Sequence, residues 1–251
     1  MHRFYAPDLV PDRDVVPLPL EEARHLARVL RLKAGASVLV FDGRGNEFTA
    51  SVEAVSPRHV TVRLKERHAA AIEPRVPLTL AQALLKSDKM DRVIRDAVML
   101  GVAAVQPFLC TRAEISRAVL RGEARRERWD RIVIGSVKQC GRATVPVVRA
   151  VRELDELLAL KGMRRSPSHP SYMLVEPAAN GTLAGMASLA PGPRPSSATI
   201  YVGPEGGWTA QEIELALRSG VTPLTFGTRT FRAEAAGAVA ITLLQFVWGD
   251  L

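Results

Sequence analysis

Tyr201-Val202-Gly203-Pro204-Glu205-Gly206-Gly207-Trp208 constrains this chain most. A short strand pattern, Ala198 to Val202, leads into it, and a helix start at Thr209 follows. Glycine has no Cβ, so main chain here can turn tightly and a ligand can approach the backbone. Pro204 fixes φ and removes a donor, which stiffens the loop. A second loop of the same kind lies downstream, Phe226-Gly227-Thr228-Arg229-Thr230-Phe231-Arg232-Ala233-Glu234, again after a strand pattern and before a helix. Two such loops point to one site built from both.

The rest of the chain shows two rhythms. Residues 1–72 carry one short helix pattern, Leu20 to Arg31, and then strand-like runs at Ser37 to Phe41, Glu47 to Val55 and His59 to Glu66. Asp42-Gly43-Arg44-Gly45-Asn46 supplies a hairpin turn. Short consecutive strands with tight turns predict a small β-barrel domain. Residues 73–251 alternate instead. Strands are expected at Val76 to Leu84, Val102 to Phe108, Val145 to Val148, Tyr172 to Val175, Thr199 to Val202 and Leu224 to Phe226. Helices are expected at Ser87 to Leu100, Arg126 to Cys140, Glu153 to Leu160, Thr209 to Arg218 and Glu234 to Trp248. That alternation predicts an α/β domain with a mostly parallel sheet. Thr209 and Glu212 have capping-box spacing. Arg164 to Ser171 and Pro191 to Ser197, rich in Pro, Ser and Gly, read as mobile surface loops.

Net charge of +8 favours a polyanionic partner such as nucleic acid, against the plain alternative of a basic solvated surface. Two cysteines, Cys110 and Cys140, make neither a disulfide framework nor a zinc site, and the five histidines show no metal-ligand spacing. No signal peptide is expected, and the longest apolar stretch, Ala235 to Trp248, is too short for a membrane span. These features read as a soluble, cytoplasmic, metal-free protein with reduced thiols.

Several sites suggest chemistry. Arg24, Arg28 and Arg31, with His25 beside them, form a basic stripe at helical spacing, opposite Ala23, Leu26, Ala27 and Leu30. Guanidinium groups so spaced suit a phosphate backbone, although a solvated face gives the same pattern. The Gly203 to Gly207 loop is not a P-loop, a dinucleotide fingerprint or a hydrolase elbow. Glu234 near a helix start is favoured by the macrodipole, so capping competes with a role for Arg232 and Glu234 facing a substrate.

In order along the chain, Arg3-Phe4-Tyr5, His25-Leu26-Ala27-Arg28-Val29-Leu30-Arg31, Phe41-Asp42-Gly43, Lys89-Met90-Asp91, Leu100-Gly101-Val102, Gln139-Cys140-Gly141-Arg142, Gly203-Pro204-Glu205-Gly206-Gly207, Arg229 and Arg232-x-Glu234 resemble the RsmE family of SPOUT-class methyltransferases. The resemblance covers nearly the whole chain. It implies a PUA-like barrel and a SPOUT α/β domain with a C-terminal trefoil knot. It implies methylation of a uridine at N3 in 16S ribosomal RNA of the small subunit, and a homodimer with composite sites. S-adenosyl-L-methionine would be held by Val202, Gly203, Pro204, Glu205, Gly206, Phe226, Gly227, Arg229 and Phe231. Arg232, Glu234 and Arg3 would be catalytic, and Arg24, His25, Arg28 and Arg31 would meet RNA. The chain departs from the family pattern at Asp96, Met99, Lys138 and Ala235. Those departures motivate one alternative, a non-catalytic RNA-binding or assembly factor. A methyltransferase acting on tRNA is another.

Overall fold

The computed structural model describes residues 1–56, 58–115, 123–159, 167–177 and 194–250. Parts of both expected surface loops, residues 164–166 and 191–193, lie outside these. The chain forms two compact units, Met1–Glu73 with Ile134–Val145 and Pro74–Val133 with Pro146–Leu251.

In the first unit the strands are β1 (Arg3–Tyr5), β2 (Val15–Pro17), β3 (Ser37–Phe41), β4 (Glu47–Val55) and β5 (Val60–Arg67). They pair in the order β1-β3-β4-β5-β2. The β1–β3 pair is parallel and the others are antiparallel. Alternation points Val38 and Val40, Ala50 and Val52, and Val60 and Val62 inward. Phe4 of β1 and Val16 of β2 enter the same core, so the two edge strands curl round one apolar centre.

The predicted Leu20 to Arg31 helix is α1 (Leu20–Arg24) continued as a π-helical turn, His25–Val29. Arg31 lies beyond it in the left-handed region at φ 53°. The wider turn breaks the 3.6-residue period, so the three arginines do not form one regular stripe. Arg24 pairs with Glu21 at 3.0 Å, whereas Arg28 and Arg31 are exposed. His25 is half-buried and meets the Phe4 ring in a T-shaped contact.

The second unit contains β6 (Leu78–Ala83), α2 (Lys89–Met99), β7 (Ala104–Leu109), β8 (Val147–Val148), β9 (Arg152–Glu153), α4 (Leu154–Ala159), β10 (Ser171–Leu174), β11 (Ala198–Val202), α5 (Ala210–Arg218), β12 (Thr222–Leu224) and α6 (Ala233–Trp248). Helix α3 (Glu123–Cys140) crosses the division between the units. The strands are all parallel, in the order β12-β10-β11-β6-β7-β8, with β9 on the far end of β7. Burial on both faces explains why β6 and β7 are mostly apolar without alternation, broken by Thr79, Gln82 and Gln106. From β6 the chain builds outward through β7 to β9. It then crosses to the other side of β6 for β10, β11 and β12, and β11 fits between β6 and β10.

Thr209 caps α5 in a full capping box with Glu212. Glu212 also accepts a bond from the Thr111 backbone N–H at 2.8 Å. Burial pushes its carboxyl up, but the Thr209 and Thr111 donors outweigh that and hold it below the ordinary value of 4.5. Because the folded-state value is depressed, its contribution to stability is fully present above that ordinary value. It is lost as pH falls toward and through the folded-state value. Glu212→Gln should therefore lower stability by about 1–3 kcal/mol at pH 7. Urea unfolding should show this gap shrinking below pH 4.5, and a gap independent of pH would contradict the assignment.

Candidate active site

Strands β10, β11 and β12 run parallel in matched register, with Leu174 beside both Val202 and Leu224. The loops that follow them therefore leave the sheet at one level, at its carboxyl edge. In open parallel sheets that edge, where strand order reverses, is where ligands bind. The three loops and the start of α2 enclose a cavity of about 400 Å³.

The loop after β11 is fixed by its own protein neighbours. Trp208 folds back beneath Gly203, and a Cβ at 203 would stand 2.9 Å from its ring. The indole N–H donates to the Leu174 carbonyl at 2.7 Å, and the ring stacks on Phe108 at 5.9 Å. Gly207, at φ 67°, closes a tight turn onto the Pro204 carbonyl. Arg112 donates to the carbonyls of Gly206 and Trp208. The sequence reading gave the missing side chains of Gly203 and Gly206 to a ligand. Here they first make room for Trp208 and Arg112.

The loop after β12 brings two cations and a carboxylate. Phe226 and Phe231 meet edge to face at 5.1 Å. Arg229 and Arg232 are exposed on the cavity wall, and among the described residues neither side chain has a hydrogen bond or ion pair. Glu234 occupies the first turn of α6. Its Oε2 is buried without a hydrogen-bond donor. Its ionic neighbour is Lys89, at 3.9 Å, rather than Arg232. Lys89 also donates to Glu205 Oε1 at 2.9 Å. Burial raises the Glu205 carboxyl, but the Lys89 hydrogen bond and nearby backbone donors hold it below the ordinary carboxylate range. The same hydrogen bond lifts Lys89 above its ordinary value.

Of the residues expected to hold a cofactor, Val202, Gly203, Pro204, Glu205, Phe226, Arg229 and Phe231 line the cavity, whereas Gly206 and Gly227 do not. Arg232 and Glu234 are on its wall. Arg3 is different. It belongs to the first unit, where its guanidinium donates to Glu47, to the Val137 and Lys138 carbonyls near the end of α3, and to the Arg142 carbonyl. Those bonds make it a cap for the last turn of a helix. Sequence reasoning missed Lys89, Trp208 and the Leu174 to Pro177 segment with Glu176 as lining residues. Lys89 stood in a quoted motif; the strand before Glu176 was expected from the sequence, but Glu176 itself belongs to no motif.

Residues 72–245 match the family model of an RNA methyltransferase domain, and residues 18–65 match an RNA methyltransferase PUA domain. A PUA-like β unit joined to a parallel-sheet SPOUT domain with a pocket at its carboxyl edge defines the class. A protein of Synechocystis sp. named ribosomal RNA small subunit methyltransferase E is 31% identical over 92% of this chain and 72% of its own. The Neisseria gonorrhoeae protein of that name, crystallised with S-adenosyl methionine, is 31% identical over 99% of this chain and 98% of its own, with a TM-score of 0.85. A Legionella pneumophila protein solved with SAM bound is 30% identical over 97% of this chain and 96% of its own, with a TM-score of 0.86. This chain belongs to the ribosomal RNA small subunit methyltransferase E family.

Proposed function

We propose that the chain transfers a methyl group from S-adenosylmethionine to N3 of a uridine in small-subunit ribosomal RNA. The observation that carries this reading is the carboxyl-edge cavity, lined by apolar side chains, by two arginines unpaired among the described residues and by a buried carboxylate oxygen. The lining suits a methyl donor that is part apolar and part zwitterionic. Leu174, Val202 and Phe226 offer apolar surface, while Glu176, Glu205 and Glu234 balance Lys89, Arg229 and Arg232. The nine residues from Val202 to Phe231 named for the cofactor are assigned to hold it, with Gly206 and Gly227 acting by shaping their loops.

When bound, the donor would supply an electrophilic methyl carbon on positively charged sulfur, with the neutral thioether as the leaving group. The protein's tasks are then positioning and electrostatics. Glu234 accepts the N3 proton, whose electron pair stays on the nitrogen that attacks. Arg232 opposes the negative charge left on the base. The target base reaches the cavity by leaving its stack. Arg28 and Arg31, exposed on the first unit, meet phosphate together with Arg24 and His25. Arg3 is assigned to folding rather than catalysis, because four hydrogen bonds tie its guanidinium to Glu47 and to the Val137, Lys138 and Arg142 carbonyls.

Residues 1–72 serve as the RNA-reading part and 73–251 as the transferring part, with the family's trefoil knot in the latter. The departures that suggested a non-catalytic relative lie off the cavity: Asp96, Met99, Lys138 and Ala235 do not line it. Lys138 pairs with Glu22 at 2.8 Å. Titration calorimetry with S-adenosylmethionine separates the readings, since a scaffold would bind none.

A homodimer belongs to the same proposal. Helix α6 is apolar on its inner face, through Ala240, Ile241 and Leu244, and again outward. Leu243 is 37% and Phe246 69% exposed, and Met99 of α2 is 39% exposed. An outward apolar stripe on a helix wants a partner. Sedimentation equilibrium should give twice 27.3 kDa, and a monomer would contradict it. No described helix is long and apolar enough to cross a membrane, and the described residues hold no cluster able to bind a metal ion. The assigned substrate puts the protein in the cytoplasm.

A further inference from the structure

Lys89 has no task in the roles assigned above, yet it joins separate parts of the cavity. It is the first residue of α2. Its ammonium is 2.9 Å from Glu205 in the loop after β11 and 3.9 Å from Glu234 at the start of α6. The charged groups facing Glu234 across the cavity are Lys89 from α2, Glu205 after β11, Glu176 after β10, and Arg229 and Arg232 before α6. Arg229 and Arg232 are exposed and, among the described residues, unpaired, so only Lys89 is held in place beside Glu234.

A buried carboxylate oxygen without a hydrogen-bond donor is costly and keeps its position only when an opposing charge holds it. Glu234 Oε2 is such an atom. An ammonium is a compact point charge with three rotatable donors, so it can be tied to one carboxylate and still steer a second.

We propose that Lys89 is a positioning residue for methyl transfer, anchored by Glu205 and holding the Glu234 carboxylate at the cavity wall toward the incoming base. The inference rests on Glu234 as proton acceptor. The hydrogen bond that lifts Lys89 above its ordinary value agrees, because it keeps the ammonium charged.

The test is a double-substitution cycle on the full-length protein, with turnover measured at saturating methyl donor and saturating small-subunit RNA. Lys89→Met should lower kcat about 100-fold, within the range for general acid–base contributions. Lys89→Arg, which keeps the charge, should restore kcat to within about tenfold of the parent. In a Glu234→Gln background, Lys89→Met should cost less than about threefold, because residues acting through one another are not additive.

Three results overturn the inference. One is a Lys89→Met loss that appears only in KM for the donor and vanishes at saturation, which would make Lys89 a prop for the cofactor loop. Another is a full additional loss in the Glu234→Gln background. The third is unchanged kcat in Lys89→Met while Glu234→Gln has lost about 100-fold or more but still turns over measurably. A Glu234→Gln protein with parent-like kcat would instead remove the reading of Glu234 on which the inference stands.

Discussion

Arg232→Ala should lower methyl transfer about 100- to 1,000-fold while leaving S-adenosylmethionine affinity within about threefold, the magnitude expected for losing one charge that opposes a developing anion. The geometry separates the two effects. Arg232 is the N-cap residue of α6, but its side chain makes no capping hydrogen bond, and no ion pair among the described residues depends on it. Its removal should therefore leave the fold intact. The apolar slot of Val202, Leu174 and Phe226 and the Lys89–Glu205 bridge also remain. Single-turnover methylation and calorimetry on the same preparation check the pair of outcomes. Near-normal turnover would remove Arg232 from the chemistry, and lost donor binding would move it to the cofactor.

Gly203→Ala is the second large effect. The added methyl would come within 2.9 Å of Trp208 Cε2 and 3.1 Å of its Nε1. The indole cannot easily yield, because it is buried, stacked on Phe108 and bonded to the Leu174 carbonyl. The loop must shift, and it is the wall of the cavity. Overpacking of this kind costs about 1–3 kcal/mol. Cofactor affinity should fall about tenfold or more, since each 1.4 kcal/mol of lost binding is a factor of ten. Urea unfolding and calorimetry measure both. Parent-like values in the two experiments would mean that the Gly203–Trp208 packing does not set the loop.

What was legible in the chain follows from periodicity. Strands β3 and β4 lie at Ser37–Phe41 and Glu47–Val55 as the alternation predicts, and the helix–strand alternation after residue 75 gives the parallel sheet. Strands β1 and β2, at three residues each, are too short to show a period. The π-helical turn at His25–Val29 was invisible because a 3.6-residue pattern assumes an α-helix throughout. The Gly203 and Arg232 loops were found from residue type alone. Their partners were not, since pairing depends on how distant segments meet. Glu234 turned out to face Lys89, 145 residues earlier in the chain, and not Arg232 two residues away. Arg3 was expected to be catalytic from the family resemblance, and only tertiary structure shows it bonded to Glu47 and to the carbonyls of Val137, Lys138 and Arg142. Glu176 reaches the cavity from the end of a strand with no motif of its own.

The most direct measurement is mass spectrometry of nucleosides from small-subunit ribosomal RNA after incubation with the purified protein and methyl-labelled S-adenosylmethionine, using RNA from a strain lacking the gene. Label recovered as 3-methyluridine, and lost with Arg232→Ala, is the predicted result. Unlabelled RNA, or label in a different nucleoside, would contradict it.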